Sequence, residues 1–247
     1  MSQPIQKLGN SSIRQAKCQA AFFDLDSTIL DMHTMILFAQ YLGKKKVVKE
    51  QQVIEMLSAV KNAEKNGASR EKTNGLFFTI LSGIKQDNYL ELGFQWWNSA
   101  EKKLLSPVYQ EYEKLKINGD HVVAISGSYS CCVQAIGESL GMTAWYGSEP
   151  EINNRILTGA VRVAMVGDCK RRKVLEYLST HSENIISSLA FGDHPSDFPM
   201  LSAVNSACYV HSYPIDAASL SYAKTQGWRL IDVSGNTVTT NFASTSS

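Results

Sequence analysis

Four clusters of acidic, basic and hydroxyl residues carry the chemistry this sequence could perform. In Asp24-Leu25-Asp26-Ser27-Thr28, two carboxylates stand one residue apart, directly after the apolar run Ala20–Phe23. Such a pair at the mouth of a strand can share a divalent cation, through the Asp24 side chain and the Asp26 backbone carbonyl. The Asp26 carboxyl is then free for proton transfer, and a carboxylate such as Asp24 is a competent nucleophile in phosphoryl transfer. Ser126-Gly127-Ser128 follows the run Val122–Ile125. A hydroxyl and a glycine amide at a strand-to-helix junction make a cradle for phosphate oxygens. Lys170, with Lys173 as its rival in Lys170-Arg171-Arg172-Lys173, offers a cation that would neutralise nucleophile and phosphate together. Gly192-Asp193-His194-Pro195-Ser196-Asp197 closes the run Leu189–Phe191. Its carboxylates, four apart, share one face of a starting helix, whose N-terminus favours negative charge. Asp193 is suited to ligate a metal, and Asp197 to bind a metal water or to orient Lys170.

Each cluster alone has an ordinary explanation: an acidic turn, a helix cap, a solvated basic helix end. Together they supply nucleophile, acid/base, phosphate cradle, cation and metal ligands. Phosphoryl transfer needs that inventory, because its catalysis is mainly positioning and charge stabilisation.

The elements that must position these residues are legible as apolar runs. Ala20–Phe23, Val122–Ile125, Leu189–Phe191 and Cys208–Val210 lack alternation, which suits strands buried on both faces of a parallel sheet. Each precedes a stretch of helical periodicity, predicting a doubly wound, Rossmann-like α/β fold whose site lies beyond the carboxyl ends of the strands. Between Met32 and about Lys114 the periodicity is helical throughout, over Met35–Tyr41, Val47–Lys65, Arg70–Leu81, Asn88–Ala100 and Pro107–Lys116. Gly43, Gly67 and Gly83 punctuate it. The expected organisation is an α/β core of residues 1–32 and 115–247 with an inserted α-helical cap at 33–114. Asn153–Asn154 reads as a hairpin turn, and the tail Ala243–Ser247 as disordered.

Composition narrows the partners. The 247 residues carry 24 basic and 23 acidic side chains, a formal net charge of +1, which gives no electrostatic case for nucleic acid or an anionic membrane. No apolar run approaches a membrane span, and residues 1–17 lack the apolar core of a signal peptide, so the chain reads as cytoplasmic. The odd number of cysteines, Cys18, Cys131, Cys132, Cys169 and Cys208, reads as free thiols. Trp96–Trp97 reads as packing, and His121, His181 and His211 as structural. The sequence carries no reading of oligomeric state.

The succession DLDST, ISGS, GDCK and FGDHPSDFPML, spanning about Ala20 to Ile231, resembles the haloacid-dehalogenase-like hydrolases, and within them the phosphoserine-phosphatase-like branch. The resemblance implies a phosphatase with Asp24 as nucleophile, Asp26 as acid/base, and Ser126, Gly127 and Lys170 around the phosphate. It further implies Mg²⁺ held by Asp24, Asp193 and the Asp26 carbonyl, with Asp197 in support, and a small phosphorylated metabolite as substrate under a helical cap. Two positions depart from the branch. His33 stands where a glutamate would hold the phosphoserine ammonium, and His194 where a small residue is usual; the first argues against phosphoserine as substrate. A phosphotransferase, a lipid-phosphate phosphatase and a non-catalytic binding protein are the alternatives, and the intact Asp24/Asp26 pair speaks against the last.

Overall fold

The computed structural model describes residues 17–214, 216–235 and the backbone of 237–239. The tail Ala243–Ser247 lies outside the described residues. In chain order the elements are β1 (Cys18–Phe23), α1 (Thr34–Lys44), α2 (Glu50–Lys65), α3 (Arg70–Phe78), α4 (Gln86–Ser99), β2 (Lys103–Leu105), α5 (Ser106–Ile117) and β3 (His121–Tyr129). There follow α6 (Ser130–Leu140), β4 (Ala144–Asn153), β5 (Ile156–Val163), α7 (Asp168–Thr180), β6 (Ile185–Gly192), α8 (Phe198–Leu201), β7 (Ser206–His211), α9 (Ala217–Thr225), β8 (Arg229–Asp232) and β9 (Thr237–Thr239).

Seven strands form one sheet in the order β5-β4-β3-β1-β6-β7-β8, parallel except for the β4–β5 edge. This is the doubly wound fold that the apolar runs predict. Period-two alternation sends successive side chains to opposite faces, and both faces are covered. Ala21, Phe23, Val122, Ala124, Phe191 and Val210 join one buried cluster with α1–α6, whereas Ala20, Phe22, Val123, Ile125, Ala190 and Tyr209 join the other with residues of α7–α9. Phe23 is fully buried, stacked on Phe191 at 4.5 Å and edge-on to Tyr112 of α5 at 5.9 Å. Burying one such side chain contributes about 1.5–3 kcal/mol. Register then sets the site: Phe23 pairs with Ala124 on one side and Phe191 on the other. The residues that follow these three strands are therefore brought to one edge of the sheet.

The predicted insertion forms helices. In α1 the buried residues Met35, Phe38, Ala39 and Leu42 recur at helical spacing. Gly43, expected to stop that helix, lies inside it and admits Val53 of α2, whose Cγ2 would sit 3.2 Å from a Cβ there. Helix α5, which straddles the expected boundary at 114, packs against β3 and β8. The hairpin turn falls on Asn154–Arg155, one residue beyond the expected place, because Asn153 pairs with Ile156. Both turn residues have positive φ, 48° and 63°, the geometry that closes a two-residue hairpin. Trp96 and Trp97 are buried, as packing residues should be. No described helix is long and apolar enough to cross a membrane, and all five cysteines are free.

Candidate active site

Beyond the carboxyl ends of β1, β3 and β6 lies a cavity of about 370 Å³. Asp24, Asp26, Ser126, Gly127, Lys170, Asp193 and Asp197 all line it, so these candidates from the four motifs meet here. Lys173 does not: it pairs with Glu176 at 2.7 Å and lies over the Tyr146 ring.

Lys170 is the centre of the arrangement. It is 2% exposed, and its Nζ donates to Asp24 Oδ1 and to Asp197 Oδ1, both at 2.6 Å. Helix α7 delivers it from a start made by Gly167, whose φ of 56° and ψ of −129° fall where side chains are strained. The Gly167 N–H donates to the Ser196 carbonyl at 3.1 Å, tying that start to the Gly192–Asp197 loop. Gly192 serves closeness instead: a Cβ there would lie 2.6 Å from the Asp197 Cβ, so only glycine lets this carboxylate approach the strand end.

The other parts are held as tightly. The Thr28 hydroxyl donates to Asp193 Oδ1 at 3.0 Å, linking the loop after β1 to the loop after β6. The Gly127 carbonyl accepts from Asn74 Nδ2 of α3 at 2.7 Å and from the Ser148 hydroxyl of β4 at 2.9 Å, which anchors the Ser126–Ser128 segment near the end of β3. Asp26 Oδ2 accepts from the Thr34 amide at 3.0 Å, the Thr34 hydroxyl at 2.8 Å and the Ser128 hydroxyl at 3.1 Å.

The charges do not balance around Lys170. Asp24, Asp26, Asp193 and Asp197 surround a single buried ammonium. Burial disfavours the Lys170 charge, but Asp197 and Asp24 outweigh it and hold the ammonium above its usual range. Burial raises Asp24 from 3.8 to about 6, with Lys170 opposing and Asp197 adding to the shift. Burial and then Asp24 raise Asp26 to about 7, and burial, Asp197 and Asp24 push Asp193 well up. Carboxylates so strained toward neutrality lack positive charge. One oxygen each from Asp24, Asp193 and Asp197 lie within 4.8 Å of one another, a hard-oxygen set that fits a divalent cation such as Mg²⁺.

The sign of the pH effect follows. Folded Asp24 and Asp26 hold protons more tightly than their unfolded counterparts, so their contribution to stability is full below 3.8. It is lost as pH rises toward about 6 for Asp24 and about 7 for Asp26. A cation binds the ionised forms, so the rise in thermal midpoint caused by Mg²⁺, relative to chelator, is expected to grow across that window. Melting curves in both media check this; a Mg²⁺ effect that shrinks toward neutral pH contradicts it.

Several cavity residues had no signal in the sequence: the helices after β1 supply Met35, Ile36, Glu64, Arg70 and Phe77, beside the His33 that the sequence had marked. Glu64 lies 3.8 Å from Arg70. His194 also lines the cavity, its Nδ1 accepting from the Ser196 amide at 3.1 Å.

The family model described as haloacid dehalogenase-like hydrolase matches residues 21–202, most of the chain and all four motifs. The chain belongs to the haloacid dehalogenase-like hydrolase family. It is an enzyme of the hydrolase class, as the motifs predict. Among relatives of this hydrolase, a Mycobacterium tuberculosis protein named a probable phosphatase is 24% identical over 87% of this chain and 75% of its own. A Streptomyces azureus protein named for inhibition of morphological differentiation is 24% identical over 86% of this chain and 78% of its own. In fold, the hydrolase is similar to a Bordetella pertussis Tohama I protein of unknown function, with a TM-score of 0.74 at 16% identity over 88% of this chain and 100% of that one. A substrate-bound phosphoserine phosphatase shares the fold at a TM-score of 0.59 and 16% identity, over 88% of this chain and 94% of that one.

Proposed function

We propose that this hydrolase is a Mg²⁺-dependent phosphatase that cleaves a small-molecule phosphomonoester through an aspartyl-phosphate on Asp24. The observation that carries the reading is the buried Lys170 ammonium, 2.6 Å from both Asp24 and Asp197 among four carboxylates. A cation placed there neutralises a nucleophilic carboxylate and an incoming phosphate in a site of low dielectric. The name of the Mycobacterium tuberculosis relative, a probable phosphatase, agrees. A cavity of about 370 Å³ under helices α1–α3 suits a small substrate. In this reading the cap is α1–α4, and α5 belongs to the core.

Mg²⁺ would be held by Asp24, Asp193 and the Asp26 carbonyl, with Asp197 in support, and would supply charge neutralisation for the phosphoryl oxygens. Asp24 Oδ attacks phosphorus as the bond to the leaving oxygen breaks, and Asp26 protonates that oxygen. Asp26, now a carboxylate, takes a proton from water; the water oxygen bonds to phosphorus, and the bond from phosphorus to Asp24 breaks. Ser126 and Gly127 orient the phosphoryl oxygens, and Lys170 offsets their charge throughout.

Phosphate release from a panel of small phosphomonoesters tests the reading. It is expected to require Mg²⁺ and to stop in chelator. Asp193→Asn is expected to raise the Mg²⁺ requirement by more than about 100-fold, and Asp197→Asn by about 10- to 100-fold. Full turnover after exhaustive metal removal contradicts the mechanism.

A further inference from the structure

The Ser126–Ser128 segment is held by a relay of hydrogen bonds that begins outside it. The Met165 N–H donates to the Ser148 hydroxyl oxygen at 2.9 Å, and the Ser148 hydroxyl donates to the Gly127 carbonyl at 2.9 Å. Asn74 Nδ2 donates to the same carbonyl at 2.7 Å. The two donors engage both lone pairs of that oxygen. One comes from α3 and the other from β4, and both side chains are buried. Asn74 Oδ1 is buried with no hydrogen-bond partner among the described residues, a cost that an apolar side chain would avoid. What the residue offers against that cost is the Nδ2 contact.

A peptide unit is planar and trans, so its N–H points opposite to its C=O. Holding the Gly127 carbonyl toward Asn74 and Ser148 therefore holds the Ser128 N–H the other way, where it donates to the Ser126 hydroxyl oxygen at 3.2 Å. The Ser126 hydroxyl has one hydrogen to give, and that hydrogen must turn away from the Ser128 amide. It is left for an acceptor in the cavity that Ser126 lines.

We propose that Asn74 and Ser148 are positioning residues for the phosphate cradle: by clamping the Gly127 carbonyl, they fix the Gly127–Ser128 peptide so that Ser126 meets a phosphoryl oxygen as a donor. The assignment rests on the phosphatase reading above for the identity of the anion. Neither side chain lines the cavity, so both act through the segment they hold. A peptide released from the clamp is free to turn its carbonyl oxygen toward the anion, which replaces attraction by repulsion.

Binding of inorganic phosphate to the full chain with Mg²⁺, followed by titration calorimetry, tests the clamp. Asn74→Leu and Ser148→Ala are each expected to raise Kd by about 10-fold, the order of a hydrogen bond to a charged group. A double-mutant cycle gives the readout that a merely structural role would not move. In Ser126→Ala the oriented hydroxyl is gone, and either change is expected to raise Kd by no more than about 2-fold further. Where phosphate binding is too weak to measure, kcat/KM on nitrophenyl phosphate closes the same cycle. Losses that add in full to that of Ser126→Ala, or no loss with Ser126 intact, overturn the assignment. If Asn74→Leu fails to fold by circular dichroism, Ser148→Ala carries the cycle. A wild type that shows the cycle in phosphate binding but releases phosphate from no ester overturns the phosphatase reading alone. One that neither binds phosphate nor releases it overturns both.

Discussion

Asp24→Asn is expected to reduce phosphate release by at least about 10⁴-fold with the fold retained. The amide matches the carboxylate in size and leaves the backbone bond from the Asp24 N–H to the Phe191 carbonyl at 2.9 Å untouched, but it cannot donate the electron pair that bonds to phosphorus. The change also removes one negative charge from a cluster of four carboxylates around one ammonium, so the cluster's mutual repulsion falls. Lys170 keeps Asp197 as a partner at 2.6 Å. Thermal unfolding should therefore shift by only a few degrees while turnover disappears. Substantial turnover in this variant, on any ester the wild type uses, would remove Asp24 from the role.

Lys170→Met is expected to have the largest effect on stability. Methionine fills the space of the lysine stem but leaves Asp24 and Asp197 buried and without their shared cation. Removing one partner of a buried pair costs about 3–5 kcal/mol, because the charge left behind is uncompensated. For a chain of this size that corresponds to a fall of about 10 °C in thermal midpoint. Mg²⁺ should recover part of the loss, since it offsets the same carboxylates. Activity should not return with stability, because the phosphoryl group would still lack the ammonium. Calorimetry with and without Mg²⁺, alongside phosphate release, separates the two. An unchanged midpoint in chelator would mean that the ion pair contributes nothing to the fold.

The residues at the strand ends were legible because their neighbours are. Ala20–Phe23, Val122–Ile125 and Leu189–Phe191 are central strands buried on both faces, so they read as unbroken apolar runs and point to the polar residues beyond them. The antiparallel edge strand β5 buries only Leu157 fully, and β8 has four residues, so neither leaves a run to find. Lys170 and Lys173 were inseparable in sequence, three apart on one helix. The start of α7 at Asp168 decides between them by turning Lys170 inward to Asp24 and Asp197 and Lys173 toward Glu176. Thr34, Arg70 and Asn74 left no signal. They open or sit within ordinary cap helices, and only the path of the insertion over the sheet brings them to Asp26, the cavity and Gly127. Glu55 of α2 and Glu91 of α4 accept from Gln51 and Gln95, while Glu64 of α2 reaches the cavity. The core chemistry is local to strand ends and so is written in short motifs. The cavity residues of the helical insertion are assembled across several helices, where sequence spacing carries no distance.

The central claim is a covalent bond between phosphorus and an oxygen of Asp24. Its most direct test is acid quenching of the wild-type enzyme during turnover of a good ester, followed by peptide mass spectrometry. The predicted result is one phosphoryl group on the peptide containing Asp24, absent from Asp24→Asn and discharged by longer incubation before the quench. Phosphate found on another residue, or turnover with no covalent phosphoprotein at any quench time, would contradict the account.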